Sequence, residues 1–447
     1  MVPVGCDGGL ARMSLLEKSS PPPGQPVPPL RRNRDFLLLW AGAGASFLGS
    51  RVSLIAYPLL VVWLTGSAKD AGLVAFAANL PYLVAQLPAG ALVDRWDRRK
   101  LMIICDAGRI VAIGTVALAV FSDQVHIVHL GVVAFVESTF TIAYRLAERG
   151  AVRHVVDAGQ LAPALAQNEA RERAAGLLGQ PVGALLFSAV RWSPFLFTAA
   201  SHLLSLIMLL MVRKPFQGAR TAVGGNLYKE VKEGLIFVWR QRFMRAAAGL
   251  IAGSNMLFQA LSLALIVIVK EQGGSGATVA VILIVSGLGG GAGALSASWL
   301  LRRLSLPAIV IGSNVAWALL MPAVAFVHGP VALGVLFAAM GFAGALWNVA
   351  ASVYQMEITP ENMIGRVTSV ATLVAFGTLP LGSLAAGFLL DWLGTRGTVL
   401  TLSGAMGLLA VASVISPAIR RTRRPQEPEQ ARTMPDEGLA AGTAVAD

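Results

Sequence analysis

Gly90-Ala91-Leu92-Val93-Asp94-Arg95-Trp96-Asp97-Arg98-Arg99-Lys100 is a short charged stretch between two long apolar runs, 71–93 and 101–121. Six of the seven residues from 94 to 100 carry charge, and the runs on either side carry almost none. About 20 apolar residues in a helix cross the ~30 Å hydrocarbon core of a bilayer. In lipid, backbone polar groups must be paired internally, so only helices or closed barrels span it. These runs are too long and too continuously apolar for barrel strands, which alternate over about ten residues. The stretch is therefore expected to be a tight turn between two membrane helices.

The same pattern extends in both directions. Twelve apolar segments are expected: 36–64, 71–93, 101–121, 127–147, 162–190, 194–212, 244–269, 275–300, 306–327, 330–352, 366–390 and 397–417. Apolar residues make up 55% of the 447 positions and charged residues 13%, where soluble domains have about a quarter charged. A water-soluble fold could not cover that much apolar surface. The fold class predicted is an all-α polytopic membrane protein of two six-helix bundles.

The net charge of +12 raises the question of nucleic acid, and its placement answers it. With the N-terminus placed in the cytoplasm, the inside segments hold 28 Lys and Arg and the outside loops only Lys69, Arg191, Lys270 and Arg396. That asymmetry is the positive-inside signal of membrane topology. It predicts a multi-pass protein of the cell membrane with both termini cytoplasmic, and it excludes a nucleic-acid partner.

The predicted organisation is a disordered Pro-rich leader (1–30), a first bundle (31–212), a cytoplasmic linker (213–243), a second bundle (244–417) and a disordered tail (418–447). No signal peptide is read in the leader. In the linker, Tyr228 to Trp239 mix charged and apolar residues as an interfacial amphipathic helix does. The only cysteines are Cys6 and Cys105, one in the leader and one in a span, so neither a disulfide nor a metal site is expected.

The two halves echo one another. Pro181-Val182-Gly183 in span five matches Pro380-Leu381-Gly382 in span eleven, and Arg98-Arg99 after span two matches Arg302-Arg303 after span eight. Parallel repeats of six spans mark one transporter architecture. The 90–100 stretch, with Gly, three residues, Asp-Arg, two residues and paired basic residues, resembles the signature loop of the major facilitator superfamily. Asp97 stands where that pattern usually has a second Gly. Asn33-Arg34-Asp35-Phe36, Leu64-Thr65-Gly66-Ser67-Ala68, Leu80-Pro81 and Gly365-Arg366-Val367 are similar to the branch holding siderophore exporters and macrolide efflux proteins. The resemblance covers roughly residues 31–417.

That resemblance implies a twelve-helix secondary transporter working by alternating access. It also implies a conformational latch in which Asp94 faces the start of span eleven near Arg366, with Arg98 bracing it and Arg95 and Arg99 beside it. A carboxylate at a helix N-terminus is favoured by about 0.3–2 kcal/mol. The latch would hold the outward-open state and break for inward opening. Gly176, Gly179, Pro181 and Gly183 in span five resemble an export-associated packing motif, interrupted by Gln180.

Ionisable residues inside spans are costly and default to functional candidates. Arg51 near the middle of span one and Glu137 at the middle of span four are expected to face one another. Glu137 would then be a proton or substrate-cation site, its proton affinity set by desolvation against the Arg51 charge. A static ion pair is the alternative. Asp106 and Arg109 in span three and Glu169, Glu172 and Arg173 in span five would form one charge cluster, structural or a proton relay. In the second half, Asn255, Gln259, Trp347 and Asn348 are the polar candidates of an otherwise apolar cavity wall.

No phosphate-binding loop, nucleophile–base pair or clustered metal ligands are present in the sequence, so neither an enzyme nor a metal or cofactor site is expected. The expected partners are a small amphipathic or hydrophobic molecule, protons and the bilayer, with the chain acting as a monomer. Two alternatives stay open: a transport-inactive relative serving as receptor or assembly partner, and an importer.

Overall fold

The computed structural model describes residues 29–216, 227–360 and 363–422. The 1–28 part of the leader with Cys6, linker positions 217–226 and the tail from 423 onward lie outside the described residues. Everything regular among the described residues is helical.

Local chemistry sets the helix ends. Helix α1 (Arg34–Thr65) starts at Asn33, whose side chain accepts a hydrogen bond from the Phe36 amide at 3.1 Å, and closes at Gly66 with φ 74°. A residue in the left-handed region stops a helix, and glycine adopts it without steric cost. Ser67 caps α2 (Ala68–Val84) by accepting from the Asp70 amide at 3.1 Å. The chain continues as α3 (Gln86–Arg95), bent from α2 by 53° at a junction flanked by Pro81 and Pro88. Prolines remove backbone donors and kink helices there.

Asp97 then caps α4 (Arg98–Phe121), its carboxylate accepting from the Lys100 amide at 2.9 Å. Asp97 departs from the signature pattern, and this bond gives it a role: its side chain caps the next helix, a bond that glycine has no side chain to make. Further along come α5 (Ile127–Val155), α6 (Leu161–Ala189), α7 (Ser193–Met211), α8 (Leu227–Arg240), α9 (Arg242–Glu271) and α10 (Gly276–Arg303). The last are α11 (Leu306–Leu320), continued by the 3₁₀ turn Met321–Ala325, then α12 (Pro330–Ile358), α13 (Ile364–Gly377), α14 (Leu379–Ile415) and α15 (Pro417–Arg420).

Nine helices among the described residues are long and apolar enough to cross a membrane, or ten with the bent α2–α3 pair as one span. Two features account for the difference from twelve. Helix α6 has the length of a span, but Glu169, Arg171, Glu172 and Arg173 lower its hydropathy. Segments eleven and twelve run together as Ile364–Ile415, which breaks at Gly394 (φ 64°, ψ −178°). Large apolar side chains such as Leu295, 86% exposed, project outward, as a bilayer permits.

Helices α1, α2, α4, α5, α6 and α7 pack on one another, and α9 to α14 do the same. Corresponding glycines show why the two bundles are alike. A Cβ on Gly183 of α6 would lie 2.6 Å from the Val52 carbonyl oxygen of α1, and one on Gly382 of α14 would clash in the same way with that of Met256 on α9. Each half therefore presses its fifth helix against its first through one bare glycine. Gly179 does likewise against Arg51 Cβ. Small residues are what allow helices to approach this closely in a membrane. Gly176 differs from the expected packing role: nothing lies within 4 Å of its Cβ position, and it lines the cavity between the bundles.

The bundles meet at the end remote from the described termini. There Gly72 of α2 packs against Gly387 of α14, where a Cβ would fall 2.6 Å from the Gly387 Cα. Gly276 abuts the Ala184 carbonyl, and Lys270 Nζ donates to the Val62 carbonyl. Toward the termini the cavity between them extends to Arg173, Ser352 and Met356; with the far end closed by these contacts, the conformer is open toward the termini.

Candidate functional site

The separation leaves a cavity of about 860 Å³. Its wall takes Leu54 and Pro58 from α1, Asn79 from α2, Gln180 from α6, Phe258 and Gln259 from α9, and Trp317 and Trp347 from the second bundle, and it reaches Arg173 and Met356 near the termini end. Side-chain amides are spaced among aromatic faces. Asn79 and Gln259 both donate to Ser383 Oγ, at 3.3 and 3.1 Å, tying the bundles together across the cavity. Asn255 Nδ2 donates to the Ala375 carbonyl at 2.8 Å, which holds α9 to the end of α13. Trp347 is 2% exposed and Asn348 is exposed. Arg173 is the cavity's charged residue, and Glu169 pairs with it at 2.9 Å. Thus Arg173, Asn255, Gln259, Trp347, Asn348 and Gly176 converge on one surface.

Glu137 lies behind that wall. Ser53 Oγ and Tyr57 Oη donate to its carboxylate at 2.5 and 2.8 Å. It borders a small void that it shares with Arg51, Leu54, Ala78 and Tyr82; Leu54 and Ala78 also line the main cavity. Arg51 is in the same void but does not pair with Glu137, contrary to expectation. Its guanidinium sits 4.8 Å over the Phe47 ring, and no carboxylate of a described residue lies within 4.0 Å. The reason is helix register: 51 lies two residues from Ser53 on α1, so the two side chains leave the helix about 200° apart.

The partners of Glu137 continue inward. His202 of α7 is wholly buried, with Nε2 at 4.0 Å from Glu137 and Nδ1 at 3.8 Å from Asp106. Arg109 pairs with Asp106 at 2.5 Å, Ser205 Oγ donates to Asp106 at 2.8 Å, and Tyr144 Oη lies 3.0 Å from Ser205 Oγ. Arg109 also donates to Thr141 Oγ1 at 3.3 Å and covers the Tyr144 ring at 4.7 Å. A buried ion pair is tolerated only when its remaining donors and acceptors are satisfied, and these contacts satisfy them.

The single cluster expected from Asp106, Arg109, Glu169, Glu172 and Arg173 is instead three separate groups. Asp106 and Arg109 belong to the core just described. Glu169 and Arg173 form an exposed i,i+4 pair. Glu172 meets Arg149 at 3.6 Å, beside a buried Arg171–Glu148 pair at 3.3 Å that Asn168 also joins. The side of α6 on which each residue falls decides which group it enters.

The loop signature is also rearranged. Arg366 pairs with Glu233 of α8 at 2.5 Å. Among the described residues, Asp94 has no ion-pair partner. Arg98 donates to the carbonyls of Gly150 and Phe216, at 3.2 and 3.5 Å, so it anchors the end of α5 and does not brace Asp94. Arg99 donates to the Leu210 carbonyl at 3.1 Å, at the end of α7. Cations near helix C-termini are favoured by the exposed carbonyls. Arg95 ends α3.

The model of the Major Facilitator Superfamily matches residues 39–378, and again 246–443. The chain belongs to this superfamily. As a superfamily member it is 29% identical over 401 residues to the multidrug efflux pump Tap of Mycolicibacterium fortuitum, covering 87% of this chain and 97% of that one. It is 24% identical over 400 residues to macrolide efflux protein A of Streptococcus pyogenes, covering 87% and 96%. Among solved structures, the nucleoside transporter NupG superposes with TM-score 0.69 at 14% identity, covering 85% of this chain and 99% of that one. A bacterial homologue of the lysosomal transporter Spinster superposes at 0.63 with 13% identity, covering 87% and 96%. At these identities the solved structures show the fold alone.

In this superfamily member several site residues escaped the sequence reading: Tyr57, Asn79, Glu148, Arg171, His202, Ser205 and Ser383. A signal exists for two of them, Glu148 and Tyr57. On α5 the polar residues Glu137, Thr141, Tyr144 and Glu148 recur at intervals of four, three and four. On α1, Ser46, Ser50, Ser53 and Tyr57 follow the same intervals. That period places each set on one helix face, so two polar stripes in apolar helices mark a buried polar seam.

Proposed function

We propose that this chain is a proton-coupled exporter of small amphipathic molecules, acting as a monomer with both termini in the cytoplasm. The observation that carries the reading is the pairing of a large inter-bundle cavity with a buried carboxylate, Glu137, directly behind its wall. The cavity falls within the ~300–1,000 Å³ of small-molecule sites. Its amides and indoles suit a large ligand with apolar faces and hydrogen-bonding edges. Arg173, its charged lining residue, is already countered by Glu169. The efflux names of the relatives agree with that direction and cargo. Cavity and polar core are complete within one chain, in keeping with a monomer.

Coupling follows from the cost of burying charge. A carboxylate in a dry site is stable only when paired or protonated. Glu137 has hydroxyl donors but no cation against it. Gaining or losing its proton therefore changes the stability of the conformer that buries it, and so links proton occupancy to bundle rocking. In the latch reading, Asp94 takes Arg366 in the outward-open state, while Glu233 holds it in the conformer described.

The test is flux in inside-out vesicles with an acidic lumen, using radiolabelled erythromycin as probe. The wild-type chain is expected to accumulate the probe faster than protein-free vesicles, which trap this weak base passively, and Glu137→Gln to lose at least about tenfold of the protein-dependent rate. Equal rates in the two would remove Glu137 from the mechanism.

A further inference from the structure

We propose that His202 is the proton relay between Glu137 and Asp106, carrying protons from the cavity wall into a polar file that runs toward the termini end. The proposal rests on the coupled-exporter reading and assigns a route to its proton.

Three observations support it. First, His202 is fully buried and lies between two carboxylates on two other helices, 4.0 Å from Glu137 through Nε2 and 3.8 Å from Asp106 through Nδ1. Second, Nε2 has no hydrogen-bond partner, although Nδ1 is 3.3 Å from Ser46 Oγ. Buried polar atoms are satisfied in the great majority of cases, so an orphan nitrogen aimed at a carboxylate marks a bond made in another state. Third, the charges do not balance without one mobile proton. His202 meets Ser46, Asp106 and Glu137, and the groups bonded to that set are Ser53 and Tyr57 of α1, Arg109 of α4, Tyr144 of α5 and Ser205 of its own helix. Two carboxylates face one guanidinium, so the set is neutral only when Glu137, Asp106 or His202 holds one further proton. A buried set resists any other net charge.

The transfer is as follows. The Glu137 carboxyl rotates away from Ser53 and gives its proton to Nε2, breaking Oε1–H and forming Nε2–H. The imidazolium then gives its Nδ1 proton to Asp106, directly or through the Ser46 hydroxyl, which is 3.5 Å from the Asp106 carboxylate. One proton has moved, no electrons are exchanged, and the imidazole is left in its other tautomer until a ring flip or reverse transfer resets it. Beyond Asp106, Ser205 and Tyr144 continue the file, and Tyr144 shares a small void with Glu148 and Arg171 nearer the termini.

The experiment compares two modes in reconstituted vesicles with labelled erythromycin: uptake driven by a pH gradient, and counterflow exchange at equal pH, which needs no net proton movement. His202→Gln is expected to lose gradient-driven uptake at least about tenfold while keeping counterflow within about twofold. A merely structural histidine would lower both together. Gradient-driven uptake equal to wild type in His202→Gln overturns the relay and leaves the exporter reading intact. A wild-type chain that shows counterflow but no gradient response beyond that of protein-free vesicles overturns both. Should His202→Gln fail to reach the membrane, a chain with His126, His129, His154 and His328 replaced by Gln keeps one imidazole. After a pH jump, its infrared signal must change in step with the buried carboxyl band; a silent imidazole beside a titrating carboxyl overturns the relay.

Discussion

Arg109 and Asp106 are 1% and 0% exposed, and among the described residues each is the other's only opposite full charge at hydrogen-bonding distance. Removing one partner leaves a buried charge uncompensated, which costs about 3–5 kcal/mol, whereas removing both costs far less. Asp106→Asn and Arg109→Met are each expected to lower the thermal unfolding temperature in detergent sharply, and the double variant is expected to recover much of it. Additive losses would show that the pair is not an energetic unit. At the same scale Arg51 shows where sequence reading fails. Its position in an apolar helix marks it as special, but its partner is the Phe47 ring. Glu137 instead bonds Ser53 and Tyr57 on the same helix as Arg51, and the ionisable side chain near it, His202, lies on a helix distant in sequence.

At the scale of elements, helix contacts depend on a few bare glycines. Gly183→Leu would drive a side chain into the Val52 carbonyl of α1 and displace α6, and Gly382→Leu would do the same to α14 against Met256. Overpacking of this kind costs about 1–3 kcal/mol. Both variants are expected to unfold at lower temperature than wild type, and Gly176→Ala, which meets open space, to match it. Equal stability of all three would refute this pairing of helices. The Pro-x-Gly repeat at 181 and 380 was legible in the sequence as an echo between halves. Its meaning, one close helix contact made twice, required the packing.

For the whole molecule, the proposed latch makes the balance between states turn on which carboxylate holds Arg366. In the conformer open at the termini end it is Glu233 of α8, 2.5 Å away, and Asp94 is without an ion-pair partner among the described residues. Glu233→Gln should release Arg366 and favour the outward-open state, and Asp94→Asn should do the opposite. A cysteine at Ser352, which lines the cavity near the termini end, reports the change in a background with Cys6 and Cys105 replaced by Ala. Its labelling rate from the termini side should fall in Glu233→Gln and rise in Asp94→Asn, by a factor of a few for a shift of about 1 kcal/mol. Rates that do not move in either variant would remove Arg366 from the switch.

The sequence by itself determined the membrane-spanning helical class, the two-half design and the presence of a turn within 90–100, which the structure narrows to Trp96 and Asp97. Apolar run length, charge placement and helix-cap residues are local properties that a bilayer reads directly. It also picked out Glu137, Asp106 and Arg109, because charge in an apolar run stands out wherever it falls. Only the tertiary structure decided who meets whom: Glu137 with Tyr57, Ser53 and His202, Arg366 with Glu233, and the three-way division of the span-five charges. Those pairings depend on helix rotation and on contacts between residues tens to hundreds of positions apart, and packing sets these.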